Sequence, residues 1–223
     1  MNNIDALEAV YRFHDSLTAR FGLVCTGGCA TCCSVNVTMT SLEGDYLRRA
    51  EALQEPELGK RLGRAADRPH FRPHLTTNEL AEACFLRRDA PVETGEHGEG
   101  SCPLLDRSGH CTVYDHRPFA CRAMVSLERC VGQGEAVMPP FLFTFNLALY
   151  QVIEHLDRDG VSGNMLDLLT DHRDRSVPNR PLPGFLVPPE EQLRFARVLD
   201  ELKKVVVGNG VLADFLPDSL PLP

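Results

Sequence analysis

The sequence has no surplus of basic residues: 23 lysines and arginines face 31 aspartates and glutamates, a formal charge of −8 with histidine neutral. Charge of that sign repels phosphate, which excludes broad electrostatic binding to nucleic acid or to anionic lipid. Long apolar runs are missing as well. A long stretch without a charged side chain, residues 136–153, is broken by Pro139, Pro140, Asn146 and Gln151. That leaves too little continuous apolar length for a hydrocarbon layer roughly 30 Å thick, so a buried core helix is expected there and no membrane association. The N-terminal MNNIDALEAVYRFHD carries acidic residues where a secretory signal has a basic and then an apolar stretch, so a cytoplasmic location is expected. There is no tandem repeat, no glycine-rich nucleotide loop, and no serine, histidine and aspartate set that would make a nucleophilic triad.

What the chain does have is cysteine, nine residues in 223. A chain of this length buries roughly 70–75% of its unfolded surface, so it needs no covalent or metal staples to hold a core. In a reducing compartment disulfides are disfavoured, and clustered cysteines point to metal ligation or redox chemistry.

Residues 5–20 place Leu7, Val10, Tyr11, His14, Leu17 and Phe21 on one face at helical spacing. The loop CTGGCATCC, residues 25–33, follows, and then Val35, Val37 and Met39 alternate as in a short strand. Thr40 and Glu43 have the form of a capping box opening a helix through Leu42, Tyr46, Leu47, Ala50 and Leu53 that stops near Pro56. Residues 57–73 are basic and suggest one short helix and a loop. Thr76 and Glu79 repeat the capping-box form ahead of a helix through Cys84 and Leu86. Residues 89–101 are polar and glycine-rich, a mobile connection.

Beyond Cys130, residues 141–156 and 162–169 read as helices, and the prolines of residues 176–189 forbid regular elements. Pro189 opens a last helix with the stripe Leu193, Ala196, Leu199, Leu202 and Val206, ended by Gly208. The expected fold is mainly α with one or two short strands. Irregular cysteine-rich loops within residues 1–135 form a metal site, packed on a helical region of residues 136–223 within one compact domain.

Eight cysteines fall into two groups of four. Cys25, Cys29, Cys32 and Cys33 are spaced C-x3-C-x2-C-C; Cys102, Cys111 and Cys121 lie in CPLLDRSGHCTVYDHRPFACR, and Cys130 follows. Thiolates bind soft or borderline metals, and ligands two or three residues apart on a glycine-bearing turn converge without further closure entropy. Neighbouring side chains in extended chain point to opposite sides, so Cys32 and Cys33 are expected to face different places, as two sites or as a ligand and its support. Four thiolates per centre would serve two zinc ions, or one iron-sulfur cluster with four cysteines left over. Residues 106–109 should turn Cys111 back toward Cys102, and Asp115 and Pro118 should start a short helix bearing Cys121 and Arg122. Arg117 or Arg122 is expected near sulfur, favouring thiolate.

These two blocks resemble the YkgJ-type cysteine-cluster family, a zinc- or iron-chelating CxxCxxCC domain. The resemblance covers residues 25–130. It rests most on Cys102, Pro103, Leu105, Cys111, Val113, Tyr114, Arg117, Pro118, Cys121 and Arg122, and departs in the three residues between Cys25 and Cys29. It implies metal or iron-sulfur binding and no particular reaction. A related cysteine block occurs in flagellin lysine methylases, but the missing nucleotide loop leaves a methyl donor without a seat.

The remaining candidates have plainer expectations. Cys84 reads as core packing, His70 and His74 as solvated loop residues, and His110 and His116 as surface neighbours of the cysteines. Phe141, Phe143, Phe145 and Tyr150 read as core, and Glu93, Glu96 and Glu99 as solvated. The sequence therefore suggests a bacterial-type metalloprotein with an iron-sulfur cluster in a redox or electron-transfer role and an unidentified redox or protein partner. A structural zinc interaction module is the alternative, and a cluster-dependent enzyme the third reading.

Overall fold

The computed structural model describes residues 2–25, 28–89, 92–130, 135–218 and 220. Helix α1, Asn3–Thr18, starts where the Asn2 side chain accepts from the Ile4 amide, satisfying a donor that the helix cannot. It buries Leu7, Val10, Tyr11, His14 and Leu17, the face its periodicity predicts. Helix α6, Pro140–Leu156, packs against it. Phe141 and Phe145 are buried on α6, while Phe143 is 64% exposed. Residues i and i+4 share a helix face and i+2 does not, so the aromatic group expected in the core splits.

The Thr40–Glu43 capping box is complete and opens α2, Ser41–Leu47. That helix ends earlier than its apolar stripe predicts. The Arg48 guanidinium is drawn to the Leu168 carbonyl, the Gln54 amide donates to the Arg48 carbonyl, and Ala50 is extended. A 3-10 turn, Glu51–Gln54, leads to α3, Pro56–Ala66, which Pro56 begins. Helix α4, Thr77–Phe85, is capped by Thr76 as expected. Helix α5, Phe119–Ala123, carries Cys121.

A three-stranded antiparallel sheet runs in the order β1, Thr38–Thr40; β2, Val161–Asn164; β3, Val177–Pro178. Val35 and Val37 lie outside β1, because the Val35 amide bonds to the Gly100 carbonyl and the Val37 carbonyl accepts from Met165. Residues 162–164, expected to be helical, form β2. Asn164 ends the strand by accepting from the Leu166 amide, so α7 is only Met165–Leu169. Pro178 is tolerated because β3 is an edge strand.

Helix α8, Gln192–Lys203, buries Phe195, Val198, Leu199 and Leu202. Leu193 is 80% and Val206 66% exposed, so the buried stripe is rotated from the one expected. Gly208, with φ +57°, lies in the turn between β4, Val206–Val207, and β5, Gly210–Val211, and does not cap the helix. Residues 92–99 lack regular structure but are held: the Gly98 amide donates to Asn36 Oδ1, and His97 stacks on Phe71 at 4.9 Å. A Cβ on Gly98 would fall 1.9 Å from the Pro69 carbonyl oxygen.

The larger core cluster joins α1, α6 and α8. A second joins α2, α3 and α7 to Val35, Leu104 and Val113, with Cys102 and Cys111 packed against it. Among the described residues no helix is long and apolar enough to cross a membrane.

Candidate metal centre

Two backbone bridges assemble the cysteine blocks. Ser34 pairs antiparallel with Ser101; the Cys102 amide donates to the Cys33 carbonyl at 3.2 Å, and the Val35 amide to the Gly100 carbonyl at 3.2 Å. Leu105 pairs with Cys111. Between them Asp106 Oδ1 accepts from the Ser108 and His110 amides, and Gly109 takes the positive φ of +82° that closes the turn. The Val24 amide donates to the Ser126 carbonyl, which brings the stretch before Cys130 alongside Cys25.

The result is a cavity of about 330 Å³ lined by Cys25, Cys29, Cys32, Cys33, Cys102, Cys111 and Cys121, with Leu104, Leu105, Val113 and Met165 among its apolar walls. Cys130 is not on that wall but is near enough to Cys25 to raise its pKa. All nine cysteines are free. Cys84, expected in the core, is exposed on α4, because α4 buries Asn78 and Ala81 instead. Among the described residues no group of three or more cysteine, histidine or acidic side chains is arranged to hold a metal ion; the sulfurs surround the cavity without converging on one point.

The model of the family described as a putative zinc- or iron-chelating domain, CxxCxxCC, matches residues 24–136, just over half of the chain. The chain belongs to the CxxCxxCC family. No curated protein and no solved structure matches it. Family membership supports metal binding, with iron and zinc both inside the family's description. The donor set agrees: seven thiols around one cavity with apolar walls are soft ligands suited to zinc or iron-sulfur chemistry.

Within the CxxCxxCC domain the cysteines separate into a floor and a rim. Cys33, Cys102, Cys111 and Cys121 influence one another and are half-buried; Cys25, Cys29 and Cys32 are exposed and influence one another and Cys130. Cys32 is the junction. Its side chain lies close enough to that of Cys33 for the two thiols to influence each other, where extended chain would have pointed them apart. The reason is local: the Cys33 amide donates to the Ala30 carbonyl, so these residues form a turn, and a turn lets adjacent side chains meet. The pairing holds the Cys32 thiol down, while the same pairing and burial push Cys33 up.

Burial raises the floor thiols. Cys102 is pushed up to about 11, opposed by the Leu104 amide and the Arg61 charge. Cys111 is raised by burial and opposed by the Val113 amide and Arg117. Cys121 is raised by burial and its neighbouring sulfurs, and opposed by Arg117. Cys25 is raised by burial and opposed by the Ser126 amide. Amides aimed at sulfur favour the charged form that a metal requires.

Arg117 therefore meets the expectation of a cation near sulfur. Arg122 also borders the cavity, but its donors go to the Arg117 and Asp115 carbonyls and to Asp15, and it lies over the Tyr11 ring. Arg61 on α3 went unnoticed in the sequence because its partner, Cys102, is far along the chain. Its buried Nε has no hydrogen-bond partner.

His110 is exposed and close to Gly28, and His116 packs at a tilt against the Tyr46 ring at 5.1 Å; neither lines the cavity. His70, expected in solvent, is buried and paired with Asp167 at 2.8 Å. His74 stays exposed, paired with Glu93.

Proposed function

We propose that this chain is an iron-sulfur protein of electron transfer or redox sensing, its cluster held by Cys33, Cys102, Cys111 and Cys121. Cys25, Cys29, Cys32 and Cys130 form a second thiolate set at the rim. One observation carries the reading: thiols from two distant blocks line a single cavity of about 330 Å³. A lone four-thiolate zinc needs sulfurs converging at about 2.3 Å and leaves no such space.

An iron-sulfur cluster would supply one-electron exchange. The chain's own residues would do the rest. Floor thiolates hold the group, and Leu104, Leu105, Val113 and Met165 keep water from it. The Leu104 and Val113 amides and the charges of Arg61 and Arg117 stabilise negative sulfur, a recognised lever on potential. The exposed Cys25, Cys29 and Cys32 leave a short route to a redox partner. A reducing cytoplasm suits nine free thiols.

Anaerobic purification followed by visible absorption and elemental analysis tests this. Coloured protein with iron and sulfide supports it; colourless, zinc-loaded protein overturns it. The structural zinc module would then take its place. That reading draws on the scarcity of regular structure between residues 92 and 118, where metal binding would supply folding free energy.

A further inference from the structure

Helix α5 has five residues and no side-chain cap of its own, since Pro118 occupies its N-cap. Both of its ends are nonetheless satisfied from elsewhere in the chain. At the start, the Phe119 amide donates to Glu43 Oε1 at 2.7 Å across 76 residues. At the end, Asn146 Nδ2 donates to the Ala123 carbonyl at 3.2 Å. Cys121 is the middle residue of this helix.

Glu43 is fully buried and ties three elements together. Its Oε1 also accepts from the Tyr11 hydroxyl of α1 at 2.8 Å, and its Oε2 from the Thr40 amide at 2.8 Å. Asn146 is buried on α6 and is oriented in turn by His14 Nε2 at 3.0 Å. The His14 ring meets Phe119 edge-on at 5.0 Å. A helix this short is below the length that is stable alone, so its position is whatever these external partners impose.

We infer that Glu43 and Asn146 are positioning residues that clamp both ends of α5 and thereby fix the Cys121 sulfur in the metal cavity. This rests on the proposed metal-binding function. A capping box ordinarily serves only its own helix; here the same carboxylate caps a second helix in trans and links the core to the ligand-bearing loop. Partners that orient ligands change metal affinity by about 10–100-fold when removed.

The test is anaerobic titration of the full chain with Co(II), following sulfur-to-cobalt charge-transfer absorption, for wild type, Glu43→Ala, Asn146→Ala, Cys121→Ser and the double variant Glu43→Ala/Cys121→Ser. Glu154→Ala is the control, because Glu154 is also a buried carboxylate but bonds the Asn78 and Arg180 amides. Expected are about 10–100-fold weaker binding and reduced charge-transfer intensity in both clamp variants. The double variant should lose little beyond Cys121→Ser, since both changes remove one ligand's contribution. The control should lose thermal stability and keep the wild-type spectrum.

Folded clamp variants with wild-type affinity and spectrum overturn the inference, as does a strictly additive double variant. If Glu43→Ala fails to fold, Glu43→Gln, which loses the charge and one acceptor, carries the same readout with Asn146→Ala. A wild-type chain that binds neither Co(II) nor, on anaerobic reconstitution with iron and sulfide, a coloured cluster defeats the metal-binding reading itself.

Discussion

The backbone amide of Cys102 donates to the carbonyl of Cys33 at 3.2 Å. The two blocks are thus joined by main chain, next to the ligands. Only a small part of the loop-closure entropy of bringing distant sulfurs together remains to be met by a metal. Cysteine variants on either side of this bond should therefore act on a common site.

Replacing Cys33, Cys102, Cys111 or Cys121 singly with Ser should remove most bound metal. Cys25→Ser or Cys29→Ser at the exposed rim should remove less, and Cys84→Ser none. Elemental analysis of anaerobically purified variants decides it. Equal losses at floor and rim would refute the division into two sets.

Metal uptake should release protons. Cys102 is pushed up to about 11, Cys111 and Cys121 are also raised chiefly by burial, and Cys33 by its pairing with Cys32, so the floor thiols are protonated at neutral pH and must deprotonate to bind. Affinity should rise with pH. Zinc titration in weak buffer with an indicator dye should show about four protons per ion at pH 7, one from each floor thiol; uptake without acidification would contradict the protonated floor.

Asp167 is fully buried, with His70 at 2.8 Å, Arg72 at 2.8 Å and Arg175 at 3.1 Å. Burial opposes its charge, yet these partners hold its pKa below the ordinary carboxylate value. A depressed folded pKa contributes stability that is complete above about pH 4 and lost as pH falls through the folded value. Asp167→Ala should cost about 3 kcal/mol, the low end for a broken buried pair because both arginines are more than a third exposed. Urea unfolding of the metal-free protein at pH 7 measures it, and a cost under about 1 kcal/mol would show the cluster to be dispensable.

Glu154 runs the other way. Burial raises its pKa against hydrogen bonds from Thr76, Asn78 and Arg180, so the folded state holds its proton longer than the unfolded state does. Its contribution to stability falls as pH climbs from about 4.5 toward the raised value. The thermal midpoint of wild type relative to Glu154→Gln should decline over that window. A constant difference across it would mean that Glu154 ionises normally.

Much of this was readable from local pattern. The first helix face, the Thr40–Glu43 box, the turn at residues 106–109 and the helix after Pro118 each depend on residues within a few positions of one another. Adjacent signals survive folding when tertiary contacts do not oppose them. Periodicity misled where a neighbour competed. Ser162 and Gly163 pair with β1 instead of extending α7, and the stripe through Leu193 and Val206 gives way to Phe195 and Val198 because Phe185 and Phe145 meet Phe195.

By itself the sequence determined the donor chemistry and the family: eight sulfurs in two spaced blocks are a covalent property of the chain. Tertiary structure alone decided which sulfurs lie at the floor and which at the rim, and directed the Arg122 donors to oxygen acceptors. It also brought Arg61 behind Cys102 and gave Glu43 a second helix to cap. Those outcomes depend on contacts between residues far apart in the chain, whose pairing is set by how the helices bury their apolar faces together.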